Sequence, residues 1–513
     1  MILIHPPLSK PCEPPAGIAR LAGSVDTGKA SLSVVDAGLD SMLWAFNNPF
    51  ESMDTWTRRS AKNLLQNLDY LRNRGDLWDI DRYTRAVMDV NRVLEKSLHA
   101  SRVRVSLSNY QDEDLSPLKS RDLIRAAEEP GKNPFYGYFR DRLIPQLSVA
   151  PDGHIGLSLN FLSQALTAFS MIGCLKQEYP GTRIILGGGL VTSWMKRPGW
   201  KNPFSGLVDD MIAGPGEGYL RGLLGMNKDE RHTRPVYDQL PLKGYLSPGL
   251  ILPYSASSGC YWQDCLFCPE KAEGNPYLPL SVNAVLDDLE SLIKRHNPVL
   301  VHFLDNAMNP SLLKGLIARP LTVPWYGFVR ITDHFRDPDF CAGLRKAGCA
   351  MLKIGIESGD QGVLDHLQKG IDLETASLSL KNIKQAGIGT YLYFLFGTPP
   401  EGPSEARHTL DLVKRHHAEI DFLNLAIFNM PIHGPDAEIY DTSEFYEGDL
   451  SLYSNFEHPK GWNRDKVRAF LDNEFKKDPT IRAIIRRNPP FFTSNHAAFF
   501  LNNPLKSSFG TTL

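Results

Sequence analysis

Cysteine is scarce in this chain, at 7 of 513 residues. That is too few and too scattered for a disulfide framework, so reduced thiols are expected. No run of about 20 apolar residues is present, and no membrane span is expected. The opening M-I-L-I-H-P-P lacks the basic and apolar stretches of a secretory signal. These absences predict a cytoplasmic protein. Formal net charge is −2, so nothing marks a polyanion binder and no nucleic-acid partner is expected. Heptads, low-complexity runs and internal repeats are absent. What remains is an ordinary globular composition, 42% hydrophobic and 22% charged, long enough for two or three domains.

Three of the cysteines stand together. Cys260, Cys265 and Cys268 fall in S-S-G-C-Y-W-Q-D-C-L-F-C-P-E, with the spacing C-x4-C-x2-C. No fourth cysteine or histidine completes the set. A structural zinc site takes four protein ligands. A 4Fe–4S cluster has four iron corners, each usually held by a thiolate, so three thiolates leave one iron open. The residues alone permit such an open cluster, or zinc with a distant fourth ligand. Cys174, Cys341 and Cys349 read as buried small hydrophobes, and Cys12 as a loop cysteine.

In the N-terminal third, residues 2–5, 32–37, 154–159, 183–186 and 207–213 read as strands. Helical spacing follows in 14–23 and 163–178. Glycines cluster where strands end, at 187–189 and 214–218. This alternation predicts an α/β, Rossmann-like, doubly wound parallel sheet whose ligands sit outside the carboxyl ends of the strands. Residues 45–150 interrupt the pattern with amphipathic helices such as 61–71 and 83–94. They are expected to pack as a helical subdomain on the sheet edge, a lid over a cofactor being the sharper reading.

From residue 249 strand and helix repeat about six times, through strands at 299–305, 325–330, 351–359, 390–398 and 421–428. That predicts a partial (β/α)6 barrel with its site at the carboxyl ends of the strands. The expected boundaries are 1–227 for the first domain, 228–248 for a linker, 249–431 for the barrel and 432–513 for an α-rich capping region. In that last region His496 and its aromatic neighbours read as a hydrophobic cap, with closure over the barrel mouth as the alternative.

The cysteine run, followed in order by Asp305-Asn306, Arg330, G-I-E-S-G (355–359) and G-T-P-P-E (397–401), resembles the radical S-adenosylmethionine (SAM) superfamily. The resemblance implies a 4Fe–4S cluster on Cys260, Cys265 and Cys268, with SAM chelating the open iron. It implies SAM contacts from Phe267, Asp305, Arg330, Glu357, Ser358, Gly397 and Pro399.

The N-terminal pieces I-L-I-H-P-P, P-P-A-G-I-A-R-L-A, V-V-D-A-G, I-I-L-G-G-G and G-P-G-E-G resemble the cobalamin-binding domain that precedes many radical SAM cores. That likeness implies cobalamin contacts from Pro7, Asp36, Ser158, Gly187, Gly188, Gly189, Gly216 and Glu217. The D-x-H-x-x-G histidine that ligates cobalt in many cobalamin proteins is missing, which implies cobalt without a histidine below it.

Together these likenesses imply a cobalamin-dependent radical SAM C-methyltransferase acting on an unactivated carbon in an oxygen-protected setting. Alternatives are a cobalamin-using rearrangement or ring modification, and a docking module without cobalamin. The expected partners are a small-molecule or peptide substrate and an electron donor such as ferredoxin or flavodoxin.

Overall fold

The computed structural model describes every residue except 26–27, 49, 51–53, 74–78, 99–101, 148–152, 228–231, 491 and 502–513. Parts of the expected insertion, linker and C-terminal cap fall on those positions and lie outside the described residues. The chain divides into two units. The first comprises Met1–Gly75, Asp81–Gly249 and Tyr446–Leu452, the second Asp76–Ile80, Leu250–Phe445 and Tyr453–Leu513.

The first unit is built on five parallel strands: β1 (Ile2–His5), β2 (Ser33–Asp36), β3 (His154–Ser158), β4 (Arg183–Gly187) and β5 (Asp210–Met211). Their order is β2-β1-β3-β4-β5. Every residue of β1 is buried, as expected of a parallel strand covered on both faces. Helices Ala16–Gly23, Ala37–Ala45, Leu162–Glu178, Gly189–Met195 and Glu217–Leu223 follow the five strands in turn. In this order β1 and β3 are neighbours at the switch point, where doubly wound sheets leave a crevice beyond their carboxyl ends.

The insertion is helical, with Thr55–Lys62, Leu64–Arg72, Ile80–Ser97 and Ser120–Glu128, plus a hairpin of Val103–Val105 and Tyr110–Asp112. Buried Asp89 ties three of its segments together, accepting from Trp56 Nε1 (2.9 Å), Ser60 Oγ (2.8 Å) and Asn67 Nδ2 (3.3 Å). Helix Ser120–Glu128 packs on helix Leu162–Glu178, while Tyr138 and Arg142 reach Asp40 of helix Ala37–Ala45, which follows edge strand β2. A Cβ at Gly173 would lie 2.9 Å from Ala127 Cα, so glycine permits the approach of the first two helices.

The segment after residue 231, expected as a linker, is laced to the first unit. Gln239 accepts from Val34 N (2.8 Å) and donates to Leu32 O (3.1 Å), and Leu246 N donates to Pro11 O (2.6 Å). Tyr446–Leu452 returns to the same unit, where Leu450 N donates to Leu118 O (2.9 Å) and Asp449 accepts from Ser120 N (2.8 Å).

The second unit carries six parallel strands: β6 (Ile251–Tyr254), β7 (Leu300–Phe303), β8 (Trp325–Val329), β9 (Cys349–Glu357), β10 (Gly389–Phe396) and β11 (Phe422–Ile427). They lie side by side in chain order, with helices between them, as in a partial barrel. Register defines the inner face. His302 pairs with Tyr326, Phe328 with Lys353, Gly355 with Tyr393, and Tyr393 with Asn424. Trp325 belongs to the outer face and donates its indole N–H to Ala347 O (2.8 Å), at the end of helix Pro338–Lys346.

The barrel floor is closed by residues 494–501. Ala497 packs with Ile251, Leu300, Tyr326, Met351, Tyr391 and Phe422, which lie at or near the starts of their strands. His496 stacks on Tyr391 (4.6 Å) and meets Phe422 edge-on (4.8 Å). Tyr326 OH donates to Ser494 O (3.0 Å). The cap is therefore hydrophobic and sits at the amino end of the strands. Closure over the carboxyl-side mouth is overturned. Among the described residues no helix is long and apolar enough to cross a membrane.

Candidate functional site

The cysteine loop leaves β6 at the carboxyl end of the barrel. Its base is a short ribbon, Ser257–Ser258 against Leu278–Pro279. Gly259 follows at φ +72, where a Cβ would lie 3.0 Å from Pro276 C. Asp305, beyond the end of β7, is 3% exposed and holds this base from below. Its Oδ2 accepts from Ala256 N (3.0 Å) and its Oδ1 from Ser257 Oγ (2.5 Å). Burial raises its pKa while these bonds oppose the rise. The structure thus gives Asp305 a place supporting the loop.

Cys260, Cys265 and Cys268 are all partly exposed, whereas Cys12, Cys174, Cys341 and Cys349 are buried. Only the three thiols of the motif are open to an incoming ligand. Burial pushes the Cys265 thiol up to about 11, and the cations of Lys369 and Arg330 pull against it. Burial also raises Cys268, opposed by the amides of Glu270 and Lys271. Among the described residues no three His, Cys, Asp or Glu side chains converge on one metal ion.

The segment 367–370 grips the loop. Leu266 N donates to Leu367 O (3.1 Å), Trp262 Nε1 to Gln368 O (3.0 Å), and Arg330 Nη2 to Lys369 O (2.6 Å). The Arg330 guanidinium lies 3.8 Å from the centroid of the Trp262 ring. Gly370, at φ +64, packs against that ring, and a Cβ there would lie 2.7 Å from Trp262 Cη2. Lys369 donates to Glu357 Oε1 (2.9 Å) and sits 5.6 Å from the centroid of Phe267. Glu357 ends β9 at φ +72, after a register shift against β10. Such irregularities re-aim a side chain at a sheet end.

The Nε and Nη1 of Arg330 are buried and unpartnered. Burial lowers its pKa, and Cys265 and Cys260 are among the groups that interact with its charge. Two unpaired donors on a buried cation beside the thiols fit an anionic group of a bound ligand. The structure therefore groups Phe267, Arg330 and Glu357 with the cysteines. The sequence reading missed Trp262, Lys369 and Gly370. Their only trace was the long C-x4-C interval holding Trp262, and Gln368-Lys369-Gly370 after a helix.

The remaining SAM expectations lie apart from that cluster. Ser358 is fully buried, 3.5 Å from Thr409 Oγ1, and accepts from Asp360 N (3.1 Å). It closes a turn. Gly397, at φ +79, opens the turn that contains buried Pro399. Glu401 fixes this turn by accepting from Gly397 N and from Trp462 Nε1 (3.0 Å). Burial raises Glu401 to about 7. His458 Nε2 donates to Thr398 O (3.0 Å), so the region after the barrel secures the same turn.

In the first unit, Ser158, Gly187, Gly188 and Gly189 lie together where β3 and β4 end. Gly188 has φ +108, and a Cβ there would lie 2.8 Å from Leu159 C. Gly189 N donates to Asn160 Oδ1 (3.0 Å), and Asn160 Nδ2 donates to Ser158 Oγ (3.1 Å). Phe161 beside them is 55% exposed. Pro7 is buried at the end of β1. Asp36 is committed elsewhere, accepting from Leu39 N (3.1 Å) and Tyr245 OH (2.6 Å). Gly216 abuts Leu21, and Glu217 pairs with Arg20. Exposed Gly189, Gly214 and Pro215 offer bare backbone along this edge, which suits a large flat ligand.

Known proteins resemble this chain in sequence and in fold. Residues 254–413 match the family model of the Radical SAM superfamily, which implies a 4Fe–4S cluster and SAM. An uncharacterized methyltransferase of Pyrococcus horikoshii is 24% identical over 251 residues, covering 44% of this chain and 52% of that protein. An anaerobic magnesium-protoporphyrin IX monomethyl ester cyclase of Rubrivivax gelatinosus is 25% identical over 246 residues, 42% of each chain. The chain thus spans about half the length of these curated relatives. The solved structure of a radical SAM methyltransferase from Kitasatospora setae, with cobalamin and a 4Fe–4S cluster bound, aligns at a TM-score of 0.50 and 16% identity. That alignment covers 85% of this chain and 76% of the other, a likeness of fold.

Proposed function

We propose that this chain, a radical SAM enzyme by its residues 254–413, is a cobalamin-dependent C-methyltransferase acting in the cytoplasm with a ferredoxin- or flavodoxin-like electron donor. The observation that carries the radical SAM part is the grouping of three accessible thiols with Arg330, Lys369, Glu357 and Phe267. When bound, the cluster, SAM and cobalamin supply one-electron reduction, hydrogen-atom abstraction and methyl transfer, the hard chemistry that cofactors bring. Cys260, Cys265 and Cys268 hold the cluster. Arg330 would offer an unpartnered N–H to the SAM carboxylate, and Phe267 would pack beside the adenine. Lys369 fixes Glu357 where β9 ends.

Cobalamin rests on the order β2-β1-β3-β4-β5 and on the bare glycine edge at 187–189 and 214–216. The methyltransferases among the similar proteins favour methylation. The cyclase among them supports a second reading, ring modification.

Anaerobic reconstitution should yield about four irons per chain, lost in Cys260→Ala. Stoichiometric zinc without iron would refute the cluster. Cobalamin supplied during expression should co-purify with the wild type. Protein that holds iron but no cobalt would refute its use and leave the docking reading. SAM with a labelled methyl, incubated anaerobically with extract, should label a product. Deoxyadenosine formed without label transfer would favour ring modification.

A further inference from the structure

We propose that Lys353, held by His302, is an oxyanion anchor on the inner face of the barrel, where a carboxylate or phosphate of the substrate binds. The proposal rests on the radical SAM reading of residues 254–413. Lys353 is 4% exposed, and its Nζ donates to His302 Nε2 (2.9 Å). The His302 ring stacks on Tyr326 at 4.3 Å. Lys353 Nζ lies 5.0 Å from the centroid of Tyr326 and 5.1 Å from that of Phe328. Two π faces thus lie beside the ammonium, a favourable setting for a cation. Burying a cation is costly, and one lining an enzyme lumen marks a functional position.

Space for a ligand lies just above. Phe328, Tyr393 and Leu395 are partly exposed, although β8 and β10 each have a strand on both sides. By register Phe328 and Tyr393 belong to the inner face, so the lumen is open down to the ring layer that touches Lys353. The Tyr391 hydroxyl interacts with Asn424 and Tyr393, which continues a polar lining across the sheet. Below Lys353 the floor is shut by Ala497 and its neighbours. Lys353 precedes Glu357 by four residues on β9, which is about 13 Å along a strand. The substrate so anchored is an extended acid. Its oxyanion lies deep in the barrel, and its reacting carbon is on the order of 10 Å away near the SAM end.

The test uses the reconstituted protein and simple anions as probes. Crystals soaked in sodium bromide should show an anomalous peak in contact with Lys353 Nζ, and excess propionate or orthophosphate should each displace it. The peak should vanish in Lys353→Met and persist in Lys353→Arg, which keeps the cation. Peaks at surface lysines alone, an adventitious ion only, would overturn the proposal. An undiminished peak in Lys353→Met would do the same. Circular dichroism establishes that each variant is folded. Iron content and the change in the cluster EPR signal on adding SAM report separately on the radical SAM reading. If those succeed and bromide avoids Lys353, the anchor alone fails.

Discussion

Gly370 and Trp262 should be strongly coupled. A Cβ at residue 370 would lie 2.7 Å from Trp262 Cη2, roughly 1 Å inside ordinary carbon–carbon contact. The ring must therefore leave its place. Doing so breaks the bond from Trp262 Nε1 to Gln368 O, worth about 1 kcal/mol. It also breaks the stack on Arg330, worth about 1–2 kcal/mol. An L-residue at φ +64 adds about 1–2 kcal/mol. Gly370→Ala should thus cost the loop about 3–5 kcal/mol.

Trp262→Ala loses the bond and the stack, about 2–3 kcal/mol. In that background Gly370→Ala retains only the backbone cost. The double-mutant cycle should then close with about 2–3 kcal/mol of coupling, roughly 30- to 150-fold in an opening equilibrium. Anaerobic hydrogen exchange on peptides spanning 260–270 measures it in metal-free protein. Losses of protection that simply add would refute the packing argument.

Further consequences are open to direct measurement. Burial holds Glu401 at about 7, above its unfolded value of about 4.3. The fold binds the extra proton in that window, so stability falls as pH rises through it, by about 4 kcal/mol at most. Glu401→Gln can still accept from both donors and should remove the corresponding fall in calorimetric stability between pH 5 and pH 8, roughly 2.5 kcal/mol. Asp305→Ala leaves Ala256 N–H and Ser257 Oγ without their acceptor, at about 1–3 kcal/mol each. Reconstituted iron should fall sharply while far-UV dichroism stays native. Gly188→Ala combines φ +108 with a contact against Leu159, and the proposed cobalamin should no longer co-purify; unchanged cobalamin content would count against that edge. Truncation after residue 492 removes the floor residues around Ala497, and should expose the lumen to a hydrophobic dye and lower the calorimetric midpoint by several degrees.

What the chain made legible was whatever a local pattern encodes. The strand near 351–359 and the helix near 281–295 showed themselves through runs and spacing and emerged as Cys349–Glu357 and Val282–His296. The three cysteines stood out because their spacing was incomplete. The grip of 367–370 on the cysteine loop did not show, because it joins residues about a hundred positions apart through backbone carbonyls. Carbonyls are common to every residue and leave no mark in composition. The pairing of Lys353 with His302 escaped for a related reason. Each reads as one polar residue in an apolar strand, and only the parallel register puts both on the inner face. The direction of the C-terminal cap was equally hidden, since a run of aromatics can pack at either end of a barrel.

The floor plug has a consequence for biosynthesis. Residues 494–501 cover strand starts from Ile251 to Phe422, and the ribosome makes them after every one of those strands. While the plug is still unmade, the nascent barrel displays Leu300, Met351, Tyr391 and Phe422 at an open end. Closing it requires contacts of high sequence separation, the slow kind. Stickiness during synthesis is thus built into this chain, and chaperone demand should peak between emergence of β11 and arrival of Ala497.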